Sequence, residues 1–167
     1  MEIDQLQEQI LAYVKRPGYQ PVKPYVRYVV VDAKGAICHM TPIDIPRPVM
    51  MHDFAITAKH AVFMDLPMTF SFTGLLTGEP PFQFQPKLGA RFGILPRLGK
   101  GDAIKWFDAD PCYVFHTFNA YDDGDEVVLL GCRMKSFPRE ITPPSSMTEA
   151  QLKDSAFPYR WSFNMKT

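Results

Sequence analysis

The chain has 167 residues with 18 basic and 18 acidic side chains, so its formal charge is zero, and 46% of it is hydrophobic, enough to fill the core of one ordinary domain. A neutral chain has no global attraction to phosphate backbones or anionic lipid, which excludes nucleic acid as the expected partner. No apolar run approaches the length of a membrane span and no charged-then-apolar leader opens the chain, so transmembrane and secreted readings are set aside.

Met1 to about Arg16 carries Ile3, Leu6, Ile10 and Val14 at helical spacing and stops at Pro17-Gly18, so an amphipathic helix is predicted there, followed by a linker to residue 22. Beyond it the period changes to two. Tyr25–Val31 and Ala36–Ile45 read as a hairpin about Asp32–Gly35, with Pro42 interrupting its second strand. Met50–Thr57 and Ala61–Met68 are predicted as the next strand pair. Thr69–Lys87 is apolar yet broken by Gly74, Gly78, Pro80 and Pro81, so it reads as an irregular loop. Ala90–Leu95 and Ala103–Phe107 are short strands. Cys112–Tyr121 and Glu126–Met134 form the most regular hairpin, across an acidic turn, Asp122–Asp125. Thr148 with Gln151 makes a capping box and predicts a short helix near 148–155, and Tyr159–Met165 is a last strand. With 16 prolines and 13 Phe, 7 Tyr and 2 Trp, the expected class is all-β with many loops.

One internal echo stands out. His52-Asp-Phe54 and His116-Thr-Phe118 lie 64 residues apart, each read within a strand that is followed by a turn and a hydrophobic strand. One histidine per repeated antiparallel unit is how a β-propeller sets side chains around its axis. Alternation puts His52 with Met50, Phe54 and Ile56, and His116 with Cys112, Val114, Phe118 and Ala120, and a histidine on an apolar face needs a hydrogen-bond partner, a metal or a proton-transfer task. Read from the residues alone, a satisfied core or rim histidine and a ligand both remain open for each. His39 and His60, near turns, read as exposed.

Other chemistries find no support. There is no GxSxG, Walker loop, GxGxxG or HExxH, and Asp122, Asp123, Asp125 and Glu126 lack the distal glutamate of a calcium loop and read as a solvated turn. Cys38, Cys112 and Cys132 form no CxxC pair, which fits a reducing compartment.

Several runs together resemble the carotenoid cleavage oxygenase family, most closely the plant type that cuts at 9,10 double bonds. They are Lys23-Pro-Tyr-Val-Arg-Tyr28, Pro48-Val-Met-Met-His-Asp-Phe-Ala-Ile-Thr57, Phe63-Met-Asp-Leu-Pro67, Ala90-Arg-Phe-Gly-Ile-Leu-Pro-Arg97, Ile104-Lys-Trp-Phe107, Cys112-Tyr-Val-Phe-His-Thr-Phe-Asn-Ala-Tyr121 with Asp125-Glu-Val-Val128, and Phe163-Asn-Met-Lys-Thr167. They follow the family's order across residues 23–167, while residues 1–22 carry no such run. The resemblance implies part of a seven-bladed β-propeller, about two blades, cut from a longer protein. It implies a non-haem Fe(II) held by four histidines, of which His52 and His116 match two, and O₂ added across a double bond of a carotenoid or apocarotenoid to give two carbonyl products.

The same resemblance assigns Phe72, Leu75, Leu76 and Phe82, on the apolar loop, to peripheral membrane contact and substrate access. Packing against absent neighbours is the alternative for those four. The family's other two ligand histidines have no counterpart in this sequence, so the chain alone is expected to be inactive; a non-catalytic truncated paralogue that binds an apocarotenoid or a partner is the alternative. The compartment implied is the plastid stroma or a plastid membrane surface, or else the cytoplasm.

Overall fold

The computed structural model describes residues 23–71, 76–78, 80–137, 144–149, 151 and 155–167. The helix read over residues 1–16, the linker after it, and Phe72 and Leu75 lie outside the described residues.

Period-two patterning produces strands wherever both neighbours can be paired. β1 (Val26–Val31) and β2 (Ile37–Ile43) form a two-stranded antiparallel sheet, turned at Gly35 with φ 81°. Pro42 does not interrupt β2 as the sequence suggested: it lies in the ladder opposite Arg27, because a strand in a two-stranded sheet has an open edge where a missing N–H is tolerated. The second sheet has the order β3 (Ala55–Ile56), β4 (His60–Asp65), β7 (Ala90–Pro96), β8 (Lys105–Ala109), every pair antiparallel. The excursion between β4 and β7 is less irregular than its prolines suggested, since β5 (Met68–Phe70) pairs with β6 (Phe82–Phe84) at its stem. The third sheet is β9 (Tyr113–Asp123), β10 (Glu126–Met134) and β11 (Phe157–Asn164), with β10 in the centre. Gly124, with φ 59°, stands at the first of two loop positions in the β9–β10 hairpin, where a type II′ turn requires glycine.

The predicted strand over Met50–Thr57 is the main correction. Only Ala55–Ile56 joins a ladder, and residues 50–54 run without strand pairing. The box at 148 forms as read: the Thr148 N–H donates to Gln151 Oε1 at 2.8 Å and the Gln151 N–H to Thr148 Oγ1 at 3.3 Å.

The sheets stack face to face. Val62, Met64, Phe92 and Ile94 of the second sheet pack with Val114, Ala120, Val127, Leu129, Trp161 and Phe163 of the third. The opposite face of the second sheet, Ala61, Phe63 and Leu95, packs on Tyr28, Ile43 and Ile45. β4 is therefore buried on both faces, which explains its unbroken apolar run. An all-β stack of antiparallel meanders, one of them four-stranded, is the form that propeller blades take.

Candidate metal centre

The segment from Met50 to His60 runs in the same direction as β9, and it is held there by side chains. The Tyr113 hydroxyl donates to the Met50 carbonyl at 3.0 Å, His52 Nδ1 meets the Phe115 carbonyl at 3.3 Å, and the Thr117 N–H and hydroxyl each donate to Asp53 Oδ2 at 2.8 Å. Further along, the Lys59 N–H donates to Asp122 Oδ2 at 3.1 Å and His60 Nδ1 to Asp122 Oδ1 at 2.6 Å. Each of these links joins residues 62, 63 or 64 apart, within two residues of the interval of the sequence echo.

His52 and His116 meet at this seam, their ring centroids 5.1 Å apart and their planes at 84°. Both rings are exposed, with Phe54 and Phe118 exposed beside them, so the apolar faces inferred from alternation do not form here. The reason lies in β9. Its register against β10 slips between Leu130 and Gly131 and again between Gly131 and Arg133, which breaks the alternation on either side of His116 and turns it away from the core. Gly131 permits this close approach, since a Cβ there would stand 3.2 Å from the His116 carbonyl oxygen.

Burial raises the pKa of Asp53, but the Thr117 N–H, the Thr117 hydroxyl, the Phe54 N–H and the charge of His116 together outweigh it, leaving the carboxyl below its ordinary value. Burial alone pushes the Tyr113 hydroxyl up to about 12, so it stays a donor to Met50. Burial also raises the Cys112 thiol, so that cysteine is an inert core residue.

The two imidazoles suit one metal ion. Nitrogen–metal bonds of about 2.1 Å put each ring centre roughly 3.2 Å from the ion, so two neighbouring rings on it lie about 4.5–5 Å apart, close to the spacing found. His52 gives its Nδ1 proton to a carbonyl and keeps Nε2 for a ligand, the arrangement metal-binding histidines use. Among the described residues no group of three or more His, Cys, Asp or Glu comes together, so the pair fits as part of a ligand set and not as a whole one.

A cleft of about 280 Å³ adjoins His52, lined by Tyr28, Met51, Phe54 and Phe63. Phe54 stacks on Phe63 at 6.0 Å and 6°, and Tyr28 closes edge-on against Phe63 at 5.5 Å. Leu76 and Phe82 are exposed, at 77% and 40%, and Phe82 packs edge-on with Phe70.

Residues 2–167 match the family described as retinal pigment epithelial membrane protein (RPE65). The chain belongs to this family. It is 41% identical over 157 residues to the carotenoid 9,10(9′,10′)-cleavage dioxygenase of Crocus sativus, and 39% identical to carotenoid 9,10(9′,10′)-cleavage dioxygenase 1 of Arabidopsis thaliana, covering 90% of this chain in each case. It is 33% identical over 146 residues to the isoeugenol monooxygenase of Pseudomonas nitroreducens. Among solved structures, the lignostilbene dioxygenase of Pseudomonas brassicacearum superposes with a TM-score of 0.69 at 26% identity, over 84% of this chain and 30% of that one. The cobalt-substituted Synechocystis ACO gives the same TM-score at 24% identity. These neighbours are β-propeller enzymes. The chain spans 28% of the length of the two plant relatives. Its family resemblance and all-β fold are as the sequence indicated.

The sequence reading put His39 and His60 in solvent and Asp122 in a solvated turn, and the structure corrects all three. His39 is half-buried with Nε2 at 3.1 Å from the Gly99 carbonyl, and His60 and Asp122 pair across sheets with 19% and 13% of their side chains exposed. Asp53, Thr117 and Tyr113 were missed as well. The interval of 64 residues was the signal that could have found them, because it aligns every linked pair to within two residues.

Proposed function

We propose that His52 and His116 are two of the four histidines that hold Fe(II) in an oxygenase that cleaves a carotenoid or apocarotenoid double bond with O₂. The observation that carries this reading is the side-by-side placement of the two imidazoles across the seam, 5.1 Å apart, in a chain of this family. When bound, Fe(II) supplies the redox chemistry that dioxygen needs, and neutral imidazoles suit it. The protein's own part is positional. The Phe115 carbonyl holds His52 in one tautomer, and the aromatic wall of Tyr28, Phe54 and Phe63 offers an apolar face along which a polyene lies beside the metal. Leu76 and Phe82 are each exposed apolar side chains suited to touching the lipid that carries such a substrate.

Two ligands hold a metal weakly, so the 167-residue chain alone turns over slowly or not at all. A second reading, a non-catalytic relative that binds an apocarotenoid, is favoured by the lack of a third ligand among the described residues.

The deciding experiment supplies an apocarotenal and ¹⁸O₂ to the gene product purified from its native source, with iron content measured alongside. The proposal expects iron-dependent cleavage with label in both carbonyl products, abolished by His52→Ala or His116→Ala. Label in only one product indicates monooxygenation, and cleavage untouched by His116→Ala overturns the assignment.

A further inference from the structure

The residues that follow the two candidate ligands are joined to each other. Asp53, next to His52, accepts both the backbone N–H and the hydroxyl of Thr117, next to His116, on the single oxygen Oδ2, each at 2.8 Å. Its other oxygen accepts the Phe54 N–H at 2.8 Å. A carboxylate that served only its own turn would need the Phe54 bond and not the two from Thr117. Reaching 64 residues along the chain for both donors of one threonine is a different arrangement.

Among the described residues, the Met50 N–H donates to the Met68 carbonyl at 2.8 Å but residues 50–54 join no ladder, and β9 pairs only with β10, so no ladder fixes how far His52 sits from His116. The register slips in β9 add freedom at the same point. What remains is a row of brackets: Tyr113 to Met50 before the histidines, His52 Nδ1 to the Phe115 carbonyl and Asp53 to Thr117 beside them, and Asp122 to His60 beyond. Of the bonds that use neither ring, only Asp53 to Thr117 lies one residue from both.

We propose that Asp53, through Thr117, is the positioning residue that sets the spacing of the two imidazoles. The inference rests on the reading of His52 and His116 as metal ligands. All three groups that face Asp53 are donors, so an asparagine that keeps its oxygen on the two Thr117 donors turns its NH₂ toward the Phe54 N–H and loses that contact alone. Thr117 contributes a backbone donor that any residue keeps and a hydroxyl that only serine preserves.

The test uses the full chain with Co(II) alone as the probe, titrated by visible absorbance, and a urea midpoint recorded for every variant. Removing groups that orient metal ligands costs about 10–100-fold in affinity, and that is the loss expected for Asp53→Ala. Thr117→Val loses several-fold, whereas Asp53→Asn and Thr117→Ser, which can keep the Thr117 bonds, stay within about twofold of the parent. Ile94→Val, buried in the core away from the seam, lowers the urea midpoint and leaves Co(II) affinity unchanged, which separates positioning from general stability. Should Asp53→Ala fail to fold, Thr117→Val decides. Co(II) affinity within twofold of the parent in folded Asp53→Ala, or in Thr117→Val, overturns the inference. Affinity untouched by His52→Ala and His116→Ala overturns the ligand reading beneath it.

Discussion

Asp122 offers the sharpest test of how the two sheets are joined. Its Oδ1 accepts the His60 Nδ1–H at 2.6 Å and its Oδ2 accepts the Lys59 N–H at 3.1 Å. An exposed ion pair of this kind contributes about 0–1 kcal/mol. Here only 13% of the Asp122 side chain and 19% of the His60 side chain reach solvent, and hydrogen bonds to a charged group contribute about 1.5–3 kcal/mol. Replacement by alanine removes both bonds and strands the His60 Nδ1–H, while the Lys59 N–H keeps Thr57 Oγ1 at 3.2 Å, so Asp122→Ala should cost about 2–3 kcal/mol, more than a surface pair can explain. The pH dependence follows from the carboxyl's environment. Burial raises its pKa, but the bonds from His60, Thr57 and the Lys59 N–H, with the charge of His60, outweigh it and leave the group below its ordinary 3.8. A depressed carboxyl stabilises the fold above its unfolded pKa, so the contribution is complete near neutrality and fades as pH falls below 3.8 through the folded value. Urea unfolding of the parent and Asp122→Ala across that range should show the widest gap near pH 7 and a closing gap in acid. A gap under about 0.5 kcal/mol near neutrality, the size of an ordinary surface substitution, refutes the reasoning, as does a gap that fails to narrow.

Phe92 is fully buried and touches Trp161 and Phe163 across the second and third sheets, so Phe92→Ala should cost about 3–5 kcal/mol, read as a shift in the urea midpoint. Gly101→Ala should destabilise strongly, because its Cβ falls 1.8 Å from the Pro42 carbonyl oxygen, whereas Gly124→Ala, with φ 59° and nothing within 4 Å, should cost only about 1–2 kcal/mol. Similar midpoints for the two glycine variants contradict the close approach of residue 101 to β2. Leu76→Asp with Phe82→Asp should weaken binding to phosphatidylcholine vesicles by about tenfold, measured by co-sedimentation; unchanged binding removes these residues from any membrane contact.

Much of the fold can be read in the chain because its signals are local. The β9–β10 hairpin announces itself through alternation and a glycine in its turn, and β4 through an apolar run that only burial on both faces permits. Met50–Phe54 misleads because it alternates like a strand yet is tied by side chains and not by a ladder. Alternation also failed around His116, where the register slips of β9 depend on Gly131 and on β10, neither of which marks its effect in the sequence of β9. The echo that links His52 to His116 was legible, and the two rings do meet. What it left unsaid was the bonding at the same interval. His60 and Asp122 each look like turn residues, and only the stacking of two sheets turns them into partners.

The central claim is that His52 and His116 can bind one metal ion together. Electron spin echo modulation of Cu(II) bound to the chain counts coordinated imidazoles directly. The account predicts two in the parent chain and one in either His52→Ala or His116→Ala. A single imidazole in the parent, or two that persist in both variants, contradicts it.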